Sequence, residues 1–256
     1  MFGRTDRHYI INFLGPTQIV CDDTVYAVQD KRTTSILLLL SIKKVASRKY
    51  IAEKIWENND AERSLANLRN HLHKVKASIG EIIRIDRTNL ALKARTQTDI
   101  DFLLNDQPMP VEVALDAHRN QFLNGEDFGD YPAVDVFVKR IMEDYKSKAI
   151  NTIYQELKKL KTRGDVSQSI ALARRILLIS PFSESAVRLL MRLYGGNGDR
   201  AAAIDIYERF RHSLRMTFGI EPEQKTRLLH RSMLLDDRFR DPPTSPDGGF
   251  SPDTII

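Results

Sequence analysis

Apolar positions along this chain change their spacing near residue 30, from short strand-like runs to the three-and-four steps of helices. Tyr9-Ile-Ile-Asn-Phe-Leu14 ends at Gly15-Pro16, Thr17 to Cys21 ends at Asp22-Asp23, and Thr24 to Val28 follows. This pattern predicts three short strands. A helix is predicted over about 31–42, where Ile36, Leu37, Leu39, Leu40 and Ile42 make a stripe too broad for an exposed face. Ser47 is a natural N-cap for a second helix that buries Ile51, Ile55 and Trp56.

After the polar break Glu57-Asn-Asn-Asp60, residues Leu65, Leu68, Leu72, Val75 and Ile79 lie on one face of a third helix over 62–78. Its opposite face carries Arg63, Ala66, Asn67, Asn70, Lys74 and Ala77. Arg, Lys and Asn are the side chains that pair with guanine and adenine edges, and small residues between them allow close approach to a groove. Two helices across a tight turn, the second so equipped, predict a helix-turn-helix. Gly80 closes the helix, and 82–86 with 90–93 read as a hairpin whose tip carries Arg87. Strands, three helices and a terminal hairpin make a winged helix.

From Val111 onward the pattern is helical and repeats. Gly164-Asp165 recurs as Gly198-Asp199, and the same offset of 34 maps Ile153 to Val187, Leu157 to Met191, Leu160 to Tyr194 and Ile170 to Ile204. Paired helices at that period are the tetratricopeptide signature. Helices over about 134–162, 166–179, 184–195, 199–216 and 221–235 are predicted to stack as a solenoid, capped by an earlier helix near 112–122. Arg174, Arg175, Arg188 and Arg192 are candidates for its binding face and equally fit ordinary solvated helix surface. The fold class is therefore mainly α with a small β component. Domains are expected at 8–104 and 111–235, with a disordered tail over 236–256.

Charge sharpens this division. The whole chain carries only +5, yet residues 1–105 hold 17 basic and 12 acidic residues while the rest holds 22 of each. Between Lys31 and Arg95 there are 15 basic against 6 acidic residues, the footprint of phosphate-backbone binding. The charge boundary predicts that a chain cut near residue 105 folds and binds DNA alone. Hydrophobic content of 42% with 29% charged residues fits a globular protein. No apolar leader follows Met1, and the longest apolar run, Ile36 to Leu40, is too short to cross a bilayer. Cys21 is the single cysteine, so a cytoplasmic compartment is expected, with neither an internal disulfide nor a thiolate metal cluster.

Ile11-Asn-Phe-Leu-Gly-Pro16, Ile51-Ala-Glu-Lys-Ile-Trp56, Asn67-Leu-Arg-Asn-His-Leu72 and Ile79-Gly80, in this order and spacing, resemble the SARP family of antibiotic regulatory proteins. Those proteins join an OmpR/PhoB-type winged helix to a bacterial transcriptional activator domain, and the resemblance covers about residues 9 to 235. The family tends to carry arginines where Lys74-Val75-Lys76 stands. The resemblance implies base contacts from Arg63, Asn67, Asn70 and Lys74. It implies phosphate contacts from Arg48, Lys49 and Arg69, and a wing contact from Arg87. Double-stranded DNA and RNA polymerase are the implied partners, the helical repeat meeting RNA polymerase or a second copy in a homodimer, with the loop from Glu57 to Ala61 as a further polymerase contact in OmpR/PhoB-like domains.

No Walker loop, His-Glu-x-x-His, Cys-x-x-Cys or Gly-x-Ser-x-Gly occurs. His71 and His73, two apart on a helix, point away from each other, which disfavours a metal pair and sets His73 at the border of the DNA-facing side. An enzyme is therefore not expected, nor a metal or cofactor. The alternative to a DNA-binding regulator is an interaction scaffold whose winged helix binds protein or RNA.

Overall fold

The computed structural model describes residues 7–104, 107–118 and 122–235. The expected tail over 236–256 lies outside the described residues. Packing divides the chain into two units, residues 1–156 and 157–256.

In the first unit, β1 (Tyr9–Asn12), β2 (Gln18–Cys21) and β3 (Thr24–Ala27) form the expected meander. Asp22 and Asp23 both take positive φ, 48° and 64°, the left-handed geometry of a two-residue hairpin turn. A strand missed by the sequence reading, β7 (Thr96–Thr98), adds to β1 in parallel, giving the order β3-β2-β1-β7. Just beyond it, the Asp99 carboxylate accepts the Phe13 N–H at 2.8 and 3.0 Å and the Leu14 N–H at 2.8 Å. Burial pushes the Asp99 pKa up, against the pull of those N–H donors.

Helix α1 (Lys31–Lys43) starts on Asp30, whose side chain accepts the Thr33 N–H, and buries every residue from Thr33 to Ser41. A second sheet in the order β4-β6-β5 is built from β4 (Val45–Ser47), β5 (Ile83–Ile85) and β6 (Asn89–Leu92). Ser47 both ends β4 and caps α2 (Arg48–Ile55), accepting the Tyr50 N–H at 3.1 Å. Helix α3 (Ala61–Ile79) is capped by Asp60 and buries Leu68, Leu72, Val75 and Ile79, with Leu65 half-buried against the same core. The turn between α2 and α3 is pinned by the Ser64 hydroxyl, which donates to the Trp56 carbonyl at 3.0 Å.

The core of this unit does not close at residue 105. Phe122, Leu123, Phe128, Val134, Val138 and Ile141 share one buried cluster with Ile11, Leu38, Leu68 and Leu72. Backbone contacts reinforce it: the Leu123 N–H donates to the Phe13 carbonyl at 2.7 Å. Of the helix expected near 112–122, α4 covers Val111–Leu115 and a turn follows over 116–118, while residues 119–121 lie outside the described residues. A long helix, α5, runs Pro132–Arg163.

The second unit contains α6 (Val166–Ile179), α7 (Glu184–Gly196), α8 (Arg200–Phe218) and α9 (Gln224–Leu235). Helix α7 packs against α6, α8 and α9. The repeat is structural as well as sequential. Gly164 and Gly198 take φ of 71° and 82°, and the aspartates that follow each cap the next helix. At the same offset Ser169, Ala173 and Ile176 of α6 and Ala203, Tyr207 and Phe210 of α8 are buried. The chain is thus mainly α with a small β component, a winged helix followed by a tetratricopeptide-like helical repeat.

Candidate nucleic-acid interface

The amphipathic pattern of α3 decides what it presents. Its leucine face enters the core, so Arg63, Ala66, Asn70 and Lys74 are exposed, and Asn67 is partly covered. Among the described residues the side chains of Arg63, Asn67, Asn70 and Lys74 make no ion pair and no hydrogen bond. Four polar side chains on one exposed stripe, none engaged internally, are free to pair with an outside surface.

The four residues expected to meet phosphate or the wing groove are not equivalent. Lys49 is 71% exposed and sits 3.8 Å from Glu53 one turn on, a solvent-screened pair that holds it weakly. Arg87 lies on the exposed turn closed by the Asp86 N–H to the Asn89 carbonyl at 2.9 Å, so it stands at the wing tip as expected. The neighbouring Thr88 carbonyl accepts the Arg48 N–H at 2.8 Å, tying the wing to the first residue of α2. Arg48 and Arg69 come together: both line one recess, with Leu72, His73, Lys76 and Ile85.

Sequence reasoning did not place Lys76 among the contact residues, and it put His73 only at the border of the DNA-facing side. Both follow Arg69 at steps of four and three, so helical spacing alone could have put them on one stripe. Lys76 lies 2.9 Å from Glu81, which also holds Lys93 at 3.3 Å. Hydrogen bonds from these two ammonium groups hold the Glu81 carboxyl down to about 2.

The opposite flank of α3 has a structural task. His71 Nε2 lies 2.9 Å from Thr33 Oγ1 and 3.2 Å from Asp30 Oδ2, and its ring meets Trp56 edge-on at 5.9 Å. Arg32 stacks over Trp56 at 5.7 Å and over Tyr131 at 5.5 Å. His71 and His73 thus face different surroundings. Among the described residues no three His, Cys, Asp or Glu side chains gather as a metal site, and no helix is long and apolar enough to cross a membrane.

Comparison with known proteins places this geometry. Residues 109–234 match the bacterial transcriptional activator domain family. The transcriptional regulatory protein MoaR1 of Mycobacterium tuberculosis is 22% identical over 248 residues, spanning 87% of this chain and 78% of the relative. MoaR1 of Mycobacterium bovis matches with the same identity and coverage. Among solved structures, Mycobacterium tuberculosis EmbR in complex with a low affinity phosphopeptide superposes with a TM-score of 0.59 at 18% identity. That match covers 90% of this chain and 65% of the EmbR chain, just under two thirds of its length, and it speaks to the fold alone.

Proposed function

We propose that this chain, a transcription regulator of the SARP type, acts by laying α3 in the major groove of duplex DNA with the β5–β6 wing beside it. The observation that carries this reading is the exposed stripe of Arg63, Asn67, Asn70 and Lys74 opposite a buried leucine face. Those four side chains read base edges, while Arg48, Lys49 and Arg69 take backbone phosphates and Arg87 approaches the minor groove from the wing. The local positive excess between Lys31 and Arg95 supports the same assignment.

The DNA-reading residues fall within 8–104 and the activator repeat within 111–235. The repeat is the part that meets a protein partner, RNA polymerase or a second copy of this chain, and the regulator activates rather than represses. MoaR1's name as a transcriptional regulatory protein agrees with a non-enzymatic, cytoplasmic role. Selection of binding sites from a random duplex pool tests the proposal. A recurrent motif is the expected outcome, and a pool that yields none while protein or RNA is bound favours the scaffold alternative.

A further inference from the structure

Three cationic side chains and one imidazole from two helices surround one recess of about 310 Å³: Arg48 at the start of α2, and Arg69, His73 and Lys76 along a single flank of α3. Leu72 and Ile85 complete its lining, which makes the walls partly apolar. The protein offsets little of this charge itself. Arg48 and Arg69 make no ion pair and no side-chain hydrogen bond among the described residues, and the Arg48 Nε is buried without a partner. Only Lys76 is compensated, by Glu81 at 2.9 Å.

Cations gathered on a concave, partly apolar surface focus a positive potential and draw a compact anion into it. Guanidinium forks match the tetrahedral oxygens of a phosphate better than they match a halide or a single carbonyl. The place of the recess names the source of that phosphate. It lies where α3 meets the wing sheet, with Ile85 of β5 in its lining and Arg48 tied to the wing through the Thr88 carbonyl. A duplex whose major groove receives α3 brings one strand's backbone past that junction.

The geometry points to a seat for one backbone phosphate of duplex DNA, formed by Arg48, Arg69, His73 and Lys76, with Glu81 as an internal carboxylate that competes for Lys76. The inference rests on the DNA-binding reading above and adds His73 and Lys76 to the contact set. It also assigns Glu81 a role opposite to theirs. Glu81 occupies Lys76 and Lys93 in the free protein, so its removal leaves Lys76 available to DNA.

The test uses the full chain and a fluorescent duplex of random sequence, with anisotropy followed over a series of KCl concentrations. Arg69→Gln and Lys76→Gln are each expected to flatten the slope of log affinity against log salt by about 0.9, one phosphate's share. His73→Phe is expected to weaken binding severalfold, and Glu81→Gln to tighten it severalfold. Arg69, His73 and Lys76 are exposed, so unchanged melting temperatures check that the variants remain folded. A wild-type chain that binds with a clear salt slope, matched by all four variants, overturns the seat and leaves the DNA reading standing. A wild-type chain that binds no duplex at any salt concentration overturns both.

Discussion

His71 on α3 meets Thr33 on the first turn of α1, with Nε2 and Oγ1 2.9 Å apart. This contact fixes the rotation of α3 about its axis from the flank opposite the phosphate recess. It also brings Asp30 within 3.2 Å of the imidazole, while Asp30 still caps α1 through the Thr33 N–H.

Burial lowers the His71 pKa, although the Asp30 charge pulls the other way. A histidine whose folded value lies below its unfolded one binds fewer protons in the native state. Its contribution to stability is therefore complete above the ordinary histidine value and declines as pH falls through it. Thermal melts between about pH 8 and about pH 5 should show the wild type losing stability toward acid. His71→Ala should cost about 1 kcal/mol at neutral pH and lose part of that dependence. A variant with an acid limb identical to the wild type would remove His71 from this account.

A chain ending near residue 105 should fail to fold cooperatively, contrary to what the charge boundary alone suggests. It lacks Phe122, Leu123, Phe128, Val134, Val138 and Ile141, which complete the core that holds α3. It also lacks Tyr131, the second ring against Arg32. Removing several large side chains from one core costs far more than a typical domain's margin, since a single large-to-small change costs about 2–5 kcal/mol. Circular dichroism melts check this: a sharp transition for residues 1–105 would show that the core closes without them.

Within the second unit, Arg188 of α7 donates to Glu223 Oε2 at 3.1 Å and to Thr226 Oγ1 at 2.7 Å. Glu184 accepts the Glu223 N–H at 2.8 Å and the Thr226 hydroxyl, so the two charged side chains bind α9 and its leading turn to α7. Arg188 and Glu184 are only 18% and 17% exposed, which shields the network from solvent. Arg188→Ala should therefore destabilise by about 1–3 kcal/mol, because Glu184 and Glu223 lose their counter-charge and the Thr226 oxygen loses its donor. Urea unfolding measures this, and a loss below a few tenths of a kcal/mol would mark the network as surface decoration. Arg188 was a candidate for the binding face of the repeat, and its contacts give it this internal task.

Much of this architecture was legible in the order of residues. The leucine spacing fixed which side of α3 is buried, and the recurrence of Gly-Asp located the helical repeat, because both signals are local and periodic. The misses share a different cause. Strand β7 is Thr-Gln-Thr, has no apolar alternation, and pairs with β1 more than eighty residues away. Strand β4 is three residues long and runs directly into a helix cap. The phosphate recess draws on α2, α3 and β5 together, and Glu81 earns its place only through two lysines brought near it by the fold. Sequence spacing marks a stripe on one helix, whereas a concavity needs the positions of its neighbours.

The most direct measurement is a footprint on genomic DNA fragments, comparing the wild type with the triple variant Arg63→Ala, Asn67→Ala, Asn70→Ala. If α3 reads bases, the wild type protects discrete sites, and the variant loses that preference by about 1–3 kcal/mol per contact while keeping salt-dependent affinity for any duplex. An identical pattern of protection from both proteins would contradict the assignment of this helix as the reading element.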